Sequence, residues 1–193
     1  MKRVNLIGNN GRVYPKEGEN WSLNYQFWNP EAKLDKLFIM DGINGLAEVR
    51  AGNSVRENII NTLNQREYSV VTPYLEKGVK KSEKYPLKKI KKKYEFLYFK
   101  STISFMLAYA ALNGYDDIRF YDIFASGTLE WLFERPAVEY WIGVLVGQGA
   151  KITFMDEDTR LLGGRPSFGG DILYGYEMNE RKIFEKNKYE NFK

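Results

Sequence analysis

Four short polar clusters hold residues able to do chemistry, and each follows an apolar run. Gly8-Asn9-Asn10-Gly11 comes after residues 3–7. Its glycines let backbone approach a ligand, and Asn9 and Asn10 offer both donors and acceptors. Asp41-Gly42 ends a second apolar run, residues 34–40. Ser101-Thr102-Ile103-Ser104 sets hydroxyls and free amides at the start of an apolar helix, where an anion can rest without a metal. The stretch from Asp122 to Gly127 follows residues 117–121, and a fifth cluster, Asp156-Glu157-Asp158, closes the last apolar run. Asp41 and Asp122 are the candidate catalytic carboxylates, suited to a general base, and the acidic clusters could also hold Mg²⁺ through oxygen ligands. The glycine spacing is neither GxGxxG nor a Walker A loop. Each cluster also has a plain structural reading: an Asn/Gly turn, a helix cap, an exposed acidic turn.

The rest of the composition narrows the chemistry. Among 193 residues there is no histidine and no cysteine. That excludes a Ser-His-Asp triad, a cysteine nucleophile, a disulfide scaffold and every Cys/His zinc site. An acid or base must be Asp, Glu, Lys, Tyr or a water that they hold. A hydrophobic content of 44% is enough for a sizeable core and argues against general disorder. The apolar run after Lys2-Arg3 is too short for a signal peptide, and no stretch reaches the roughly 18 residues of a membrane span. The expectation is a cytoplasmic protein.

The net charge of +4 is local in origin. From Lys80 to Lys93 there are eight lysines and one glutamate, or +7, which leaves the remainder at −3. Such a run either tracks phosphates, including those of nucleic acid, or forms a solvated helix face docked by Tyr85, Pro86, Leu87 and Ile90. The near absence of arginine does not suggest base reading.

Positioning these clusters requires strands and crossovers. Residues 3–7, 68–72, 95–99, 117–121 and 150–155 read as strands. Helices are expected from Asn53 or Ser54 to Leu63, from Ser101-Thr102 to Leu112 with a stop at Asn113-Gly114, and from Glu134 or Arg135 to about Val146 with Pro136 in the first turn. Alternating strand and helix predicts an α/β, Rossmann-like three-layer fold with a mostly parallel sheet, whose ligand sits beyond the carboxyl ends of the strands. Trp21, Tyr25 and Trp28 around Asn24 either stack on a base or belong to the core, and Tyr140-Trp141 beside Glu139 has the same two readings. Residues 1–178 form one expected domain, with a loop at Gly163-Gly164 to Gly169-Gly170, and residues 179–193 a charged tail or helix.

Two resemblances extend this. Leu6-Ile7-Gly8, Trp21-Ser22-Leu23-Asn24, Tyr85-Pro86-Leu87, Tyr98 to Ala108, Glu134 to Gly143 and Leu173 to Glu177 resemble, in order, a family of small uncharacterised phage and prophage proteins. That implies the host cytoplasm as location. More distantly, Val4 to Gly11, Asn24 and Ser101-Thr102-Ile103-Ser104, continuing from Ala108 to Tyr121, resemble bacterial sialyltransferase-like proteins. The resemblance implies a Rossmann-like domain binding a nucleotide or nucleotide-sugar, and a glycosyltransferase-like activity. It places Asn9 and Asn24 at the nucleotide and ribose or phosphate, and Ser101 and Thr102 near phosphate or sugar; Gly8, Asn10, Gly11 and Ser104, from the clusters above, complete the expected nucleotide-binding set. Two departures stand out: those enzymes use a histidine base, which this chain lacks, and their Gly-x-Asp reads here as Asp122-Ile123-Phe124. A non-catalytic phage protein that sequesters a nucleotide, and a nucleic-acid accessory protein using the lysine run, are the alternatives. No resident cofactor is expected beyond Mg²⁺ carried by a nucleotide substrate. Elemental analysis of the purified protein should find no stoichiometric zinc, because without His or Cys a site built of carboxylates and amides favours harder ions such as Mg²⁺ or Ca²⁺.

Overall fold

A strand with aliphatic residues on both faces must be covered on both faces, and the central strands here are of that kind. Val4, Leu6 and Ile7 are all fully buried. The structure, a computed structural model, describes residues 1–48, 53–123, 129–156 and Leu161. Its strands are β1 (Arg3–Ile7), β2 (Glu19–Leu23), β3 (Lys36–Phe38), β4 (Ser69–Thr72), β5 (Ser82–Lys84), β6 (Asp117–Tyr121) and β7 (Lys151–Phe154). They form one sheet in the order β5-β4-β3-β2-β1-β6-β7, and every ladder is parallel. The helices are α1 (Gly42–Glu48), α2 (Asn53–Leu63), α3 (Leu87–Lys93), α4 (Thr102–Leu112) and α5 (Leu129–Gly147), with a 3₁₀ helix at Asn24–Trp28.

The two-residue period of the strands sorts their side chains into two cores. Leu37 and Val70 point into a cluster with Phe27, Ile43, Ile59 and Leu63, so α1, α2 and the 3₁₀ helix cover one face. Phe38 and Val71 point the other way, toward Ile90, Met106, Leu107, Trp141 and Ile142 of α3, α4 and α5. The result is a three-layer α/β fold with an all-parallel sheet. Helix α4 is apolar all round, which suits a helix enclosed by neighbours. Ala108, Ala110 and Ala111 are fully buried, and small side chains on α4 suit its close packing with α5. Ser101 starts it with a capping box shared with Ser104.

Several elements differ from the expected ones. Residues 95–99 form no strand. The chain between α3 and α4 runs outside the sheet, held by its own carbonyls: Trp141 Nε1 donates to the Tyr98 oxygen at 2.9 Å and the Tyr140 hydroxyl to the Phe96 oxygen at 2.7 Å. Phe99 stacks on Phe105 at 4.2 Å and on Trp141 at 5.4 Å. The aromatic residues that suggested a strand are spent on helix packing. Strand β2 was not anticipated, nor was β5 within the lysine run. Helix α5 begins earlier than expected, so Pro136 lies inside it rather than in its first turn. Trp21 is core: its ring meets Phe38, Tyr109 and Tyr115 at 4.8–5.3 Å, and its Nε1 donates to Glu19. Trp141 is likewise fully buried. The expected loop from Gly163 to Gly170, the tail 179–193 and Glu157-Asp158 lie outside the described residues.

Two constraints join β1 to β6. At the amino edge, the buried Asp117 carboxylate accepts from Arg3 Nε at 2.6 Å and from Arg119 at 3.4 Å. At the carboxyl edge, Gly8 N donates to Tyr121 O at 2.8 Å, and a Cβ on Gly8 would lie 1.9 Å from the Asp122 carbonyl oxygen. Gly8→Ala must therefore force the strand ends apart, and is expected to destabilise the protein by about 1–3 kcal/mol or more in urea unfolding. Burial opposes ionisation of Asp117, yet the hydrogen bonds from Arg3 and Arg119 hold its carboxyl below the ordinary aspartate value. A lowered folded value contributes stability that is complete above the unfolded value, about 3.9, and is lost as pH falls through the folded one. Asp117→Asn should lower Tm at neutral pH, and its gap from the parent should narrow as the melting pH drops below about 4.

Candidate functional site

Because all ladders run in parallel, the carboxyl ends of the strands lie along one edge. The order reverses between β1 and β6: β2 to β5 are laid down on one side of β1, and β6 and β7 on the other. Loops that leave adjacent strands in opposite directions open a crevice at such a switch point. Here the described residues beyond those two strand ends are Gly8 to Gly11 and Asp122-Ile123.

The local backbone is unusual at this place. Among the described residues, two that are not glycine have left-handed φ: Asn24 at 46° and Asp122 at 52°. They end β2 and β6, the two strands that flank β1. Asn and Asp tolerate this region best, yet it still costs free energy, and such positions concentrate at binding sites. The Asp122 carboxylate faces the loop, since a Cβ on Gly11 would lie 3.1 Å from its Oδ2.

The loop is held from below. Gly11 N donates to Gly8 O at 2.9 Å, closing a tight turn that leaves Asn9 and Asn10 exposed. Gln26, only 2% exposed, donates its amide to Gly11 O at 2.8 Å and to Gly8 O at 3.3 Å. Tyr14 OH donates to Gly11 O at 3.1 Å, and Asn29 Nδ2 donates to the Tyr14 oxygen at 2.7 Å. Burial pushes the Tyr14 hydroxyl above the ordinary tyrosine value, so it remains a donor at neutral pH. Ser22 Oγ donates to Ile7 O at 2.7 Å.

The 3₁₀ helix that carries Gln26 begins at Asn24, and Asn24 reaches α4: Thr102 Oγ1 donates to Asn24 Oδ1 at 3.4 Å. The start of α4 thus joins the same edge, through contacts running from Asp122 to Gly8 and Gly11, to Gln26, and through Asn24 to Thr102. Within α4, Ser101 Oγ accepts from Ser104 N at 3.4 Å, and Ser104 Oγ donates to Ser101 O at 2.6 Å. Those two hydroxyls are committed to the cap, and Ser104 is fully buried. The amides of Thr102 and Ile103 have no intrahelical acceptor, as at any helix start, and the Thr102 hydroxyl lies beside them.

Asp41 is exposed and follows β3, two strands from β1, or roughly 10 Å along the sheet by strand spacing. Beside it Gly42 (φ 70°) packs against Tyr74 and Glu76, and Glu76 accepts from Ile43 N at 2.9 Å. The structure therefore gathers Gly8, Gly11, Asn24, Thr102 and Asp122, turns Ser101 and Ser104 to capping, and leaves Asp41 further along the edge. Gln26 and Tyr14 were not foreseen. A glutamine two residues after Asn24 carries no distinctive spacing, and its role exists only once β2 lies beside β1. Among the described residues no group of three His, Cys, Asp or Glu gathers at a point that could hold a metal ion. One carboxylate among amides and hydroxyls does not fit a dedicated divalent-cation site, which needs several oxygen ligands. Among the same residues, no helix is long and apolar enough to cross a membrane.

No family model matches the chain, and no curated protein does. Solved structures do resemble it. The monofunctional α-2,3-sialyltransferase Cst-I from Campylobacter jejuni aligns over 99% of this chain and 95% of its own, at 15% identity and a TM-score of 0.56. The Campylobacter jejuni sialyltransferase CstII, solved with cytidine-5'-monophosphate, aligns over 89% of this chain and 88% of its own, at 12% identity and a TM-score of 0.52. The same enzyme with the substrate analogue CMP-3FNeuAc aligns over 83% of each chain, at 13% identity and a TM-score of 0.50. At these identities the likeness is one of fold, and it extends over most of each chain.

Proposed function

We propose that this chain binds a nucleotide or nucleotide-sugar at the switch point between β1 and β6 and acts there as a glycosyltransferase-like enzyme. The observation that carries this reading is the convergence of three features on one edge: the Gly8–Gly11 turn, the left-handed Asn24 and Asp122 on either side of it, and the uncapped amides at the start of α4. Two solved chains of similar fold hold CMP or a CMP-sugar analogue, which makes cytidine nucleotides the first ligands to try.

In this reading Asn9, Asn10 and Asn24 take the ribose and base edge, with Gly8 and Gly11 allowing close approach. The Thr102 and Ile103 amides take the donor phosphate, while the Thr102 hydroxyl holds Asn24 beside them. As the bond between sugar and phosphate breaks, charge grows on the leaving phosphate, and fixed amides stabilise it. The acceptor hydroxyl oxygen attacks the anomeric carbon, and its proton passes to a carboxylate. In this reading Asp122, at the switch point, takes that proton, and Asp41, further along the same edge, is the other candidate. The missing histidine favours a second reading, a nucleotide binder without transfer activity. Release of CMP from a CMP-sugar, with and without acceptor, separates the two.

A thermal-shift panel of nucleotides should show a rise in Tm with CMP or a CMP-sugar, because a ligand selective for the folded state stabilises it. By calorimetric titration, Asn9→Ala should weaken that ligand by about 1–3 kcal/mol, and Thr102→Val should weaken it with the fold intact. Ser101→Ala should instead cost about 1 kcal/mol of stability through its lost cap, with a smaller effect on binding. Failure of every nucleotide to bind, or unchanged affinity in both Asn9→Ala and Thr102→Val, rejects the site.

A further inference from the structure

The lysine run supplies more than a solvated face. Residues 82–84 form the edge strand β5, residues 87–93 form α3, and between these two elements and the last turn of α4 lies a cavity of about 390 Å³. That is within the range of small-ligand sites, roughly 300–1,000 Å³. It is separate from the switch point, since β5 is the far edge strand and its helix contact is the closing end of α4, not its start.

The charges around this cavity are unequal in a way that selects a ligand. Glu83 is its carboxylate, and both its oxygens are occupied: Lys36 Nζ donates to Oε2 at 2.8 Å and the Tyr109 hydroxyl donates to Oε1. Burial opposes its ionisation, yet the bonds from Lys36 and Tyr109 hold it below the ordinary glutamate value, so it stays charged and is balanced by Lys36. Lys84 and Lys89 also line the cavity, and neither forms an ion pair among the described residues. Two unbalanced ammonium groups remain. The other walls are Pro86 and Leu112, which are apolar, and Asn113. Asn113 spends its amide N–H on Tyr109 O at 2.8 Å, which leaves its side-chain oxygen as an acceptor.

We propose that this cavity is a second binding site, which takes a phosphomonoester of a small polyhydroxylated molecule. The phosphate dianion matches Lys84 and Lys89 as point charges. A hydroxyl of the ligand donates to the Asn113 oxygen, and the C–H face of the ligand lies on Pro86 and Leu112. A bare anion satisfies only the lysines, and a neutral sugar only the other wall, so the two parts together are what the site distinguishes.

The test uses glucose 6-phosphate as probe, with inorganic phosphate and glucose as its separate halves, by calorimetric titration at low and moderate salt. Glucose 6-phosphate should bind saturably and about tenfold or more tighter than inorganic phosphate, glucose should not bind, and added salt should weaken the interaction. The double variant Lys84→Ala/Lys89→Ala, whose side chains are exposed and removable without touching the core, should lose about tenfold or more. Thr102→Val, at the switch point, should bind the probe as the parent does, which keeps this result distinct from the nucleotide site. Equal binding of glucose 6-phosphate and inorganic phosphate, equal binding by the parent and the double variant, or no binding by the parent would each overturn the proposal.

Discussion

The carbonyl of Asp122 occupies the space that a side chain on residue 8 would need, and the pairing of β1 with β6 rests on that absence. With glycine at residue 8 the backbones close to a ladder that runs the full length of β1, and Gly8 N adds one more bond beyond it. This closeness dictates the path of the chain on both sides. After Ile7 it must turn at once, Gly11 closes the turn, and Gln26 and Tyr14 can reach its carbonyl from the neighbouring segment. Asp122 must adopt a left-handed conformation to leave the sheet beside this turn.

A second dependence runs through Trp21. Its ring lies between the sheet and α4, in edge contact with Tyr109 and Tyr115, while its indole N–H is satisfied by Glu19. Glu19 also accepts from the Tyr115 hydroxyl at 2.6 Å, whose value is pushed far up by burial and by that carboxylate. These polar atoms at the rim of the core tie the turn that follows α4 to the start of β2. The opening amides of α4 lie about 16 Å of helix away by helical rise across 11 residues, where Thr102 bonds to Asn24.

How much of the fold the sequence revealed depends on how local each signal is. Residues 117–121, between a helix stop at Asn113-Gly114 and a polar turn, are short, apolar and well punctuated, and they are a strand. The capping residues Ser101 and Ser104 mark the start of α4 because a capping box needs only four consecutive residues. Strand β2 escaped notice because Trp21 and Asn20 blur the alternation, and its burial depends on partners at β1, β3 and α4. Residues 95–99 misled for the converse reason: aromatic residues prefer strands, but here α4 and α5 provide the surface that a sheet would have given. The place of the Gly8–Gly11 turn at the carboxyl edge was legible because a parallel sheet brings strand ends together, whereas Thr102 reaches that edge with no strand before it, since residues 95–99 run outside the sheet. That Ser101 and Ser104 bond to each other instead, and that Gln26 supports the turn, could be read only from the folded arrangement.

The central position of β1 also has a consequence for the order of events during synthesis. Arg3 and Asp117 are 114 residues apart, yet they are ladder partners at the middle of the sheet. At translation speeds of roughly 5–20 residues per second, β1 waits about 6–23 s before β6 exists. Throughout that interval one of its edges has no native neighbour, and an unpaired apolar edge is a template for pairing with another chain. The turn at Gly8 to Gly11 is made long before the strand that flanks it, so the switch point exists only once β6 has arrived.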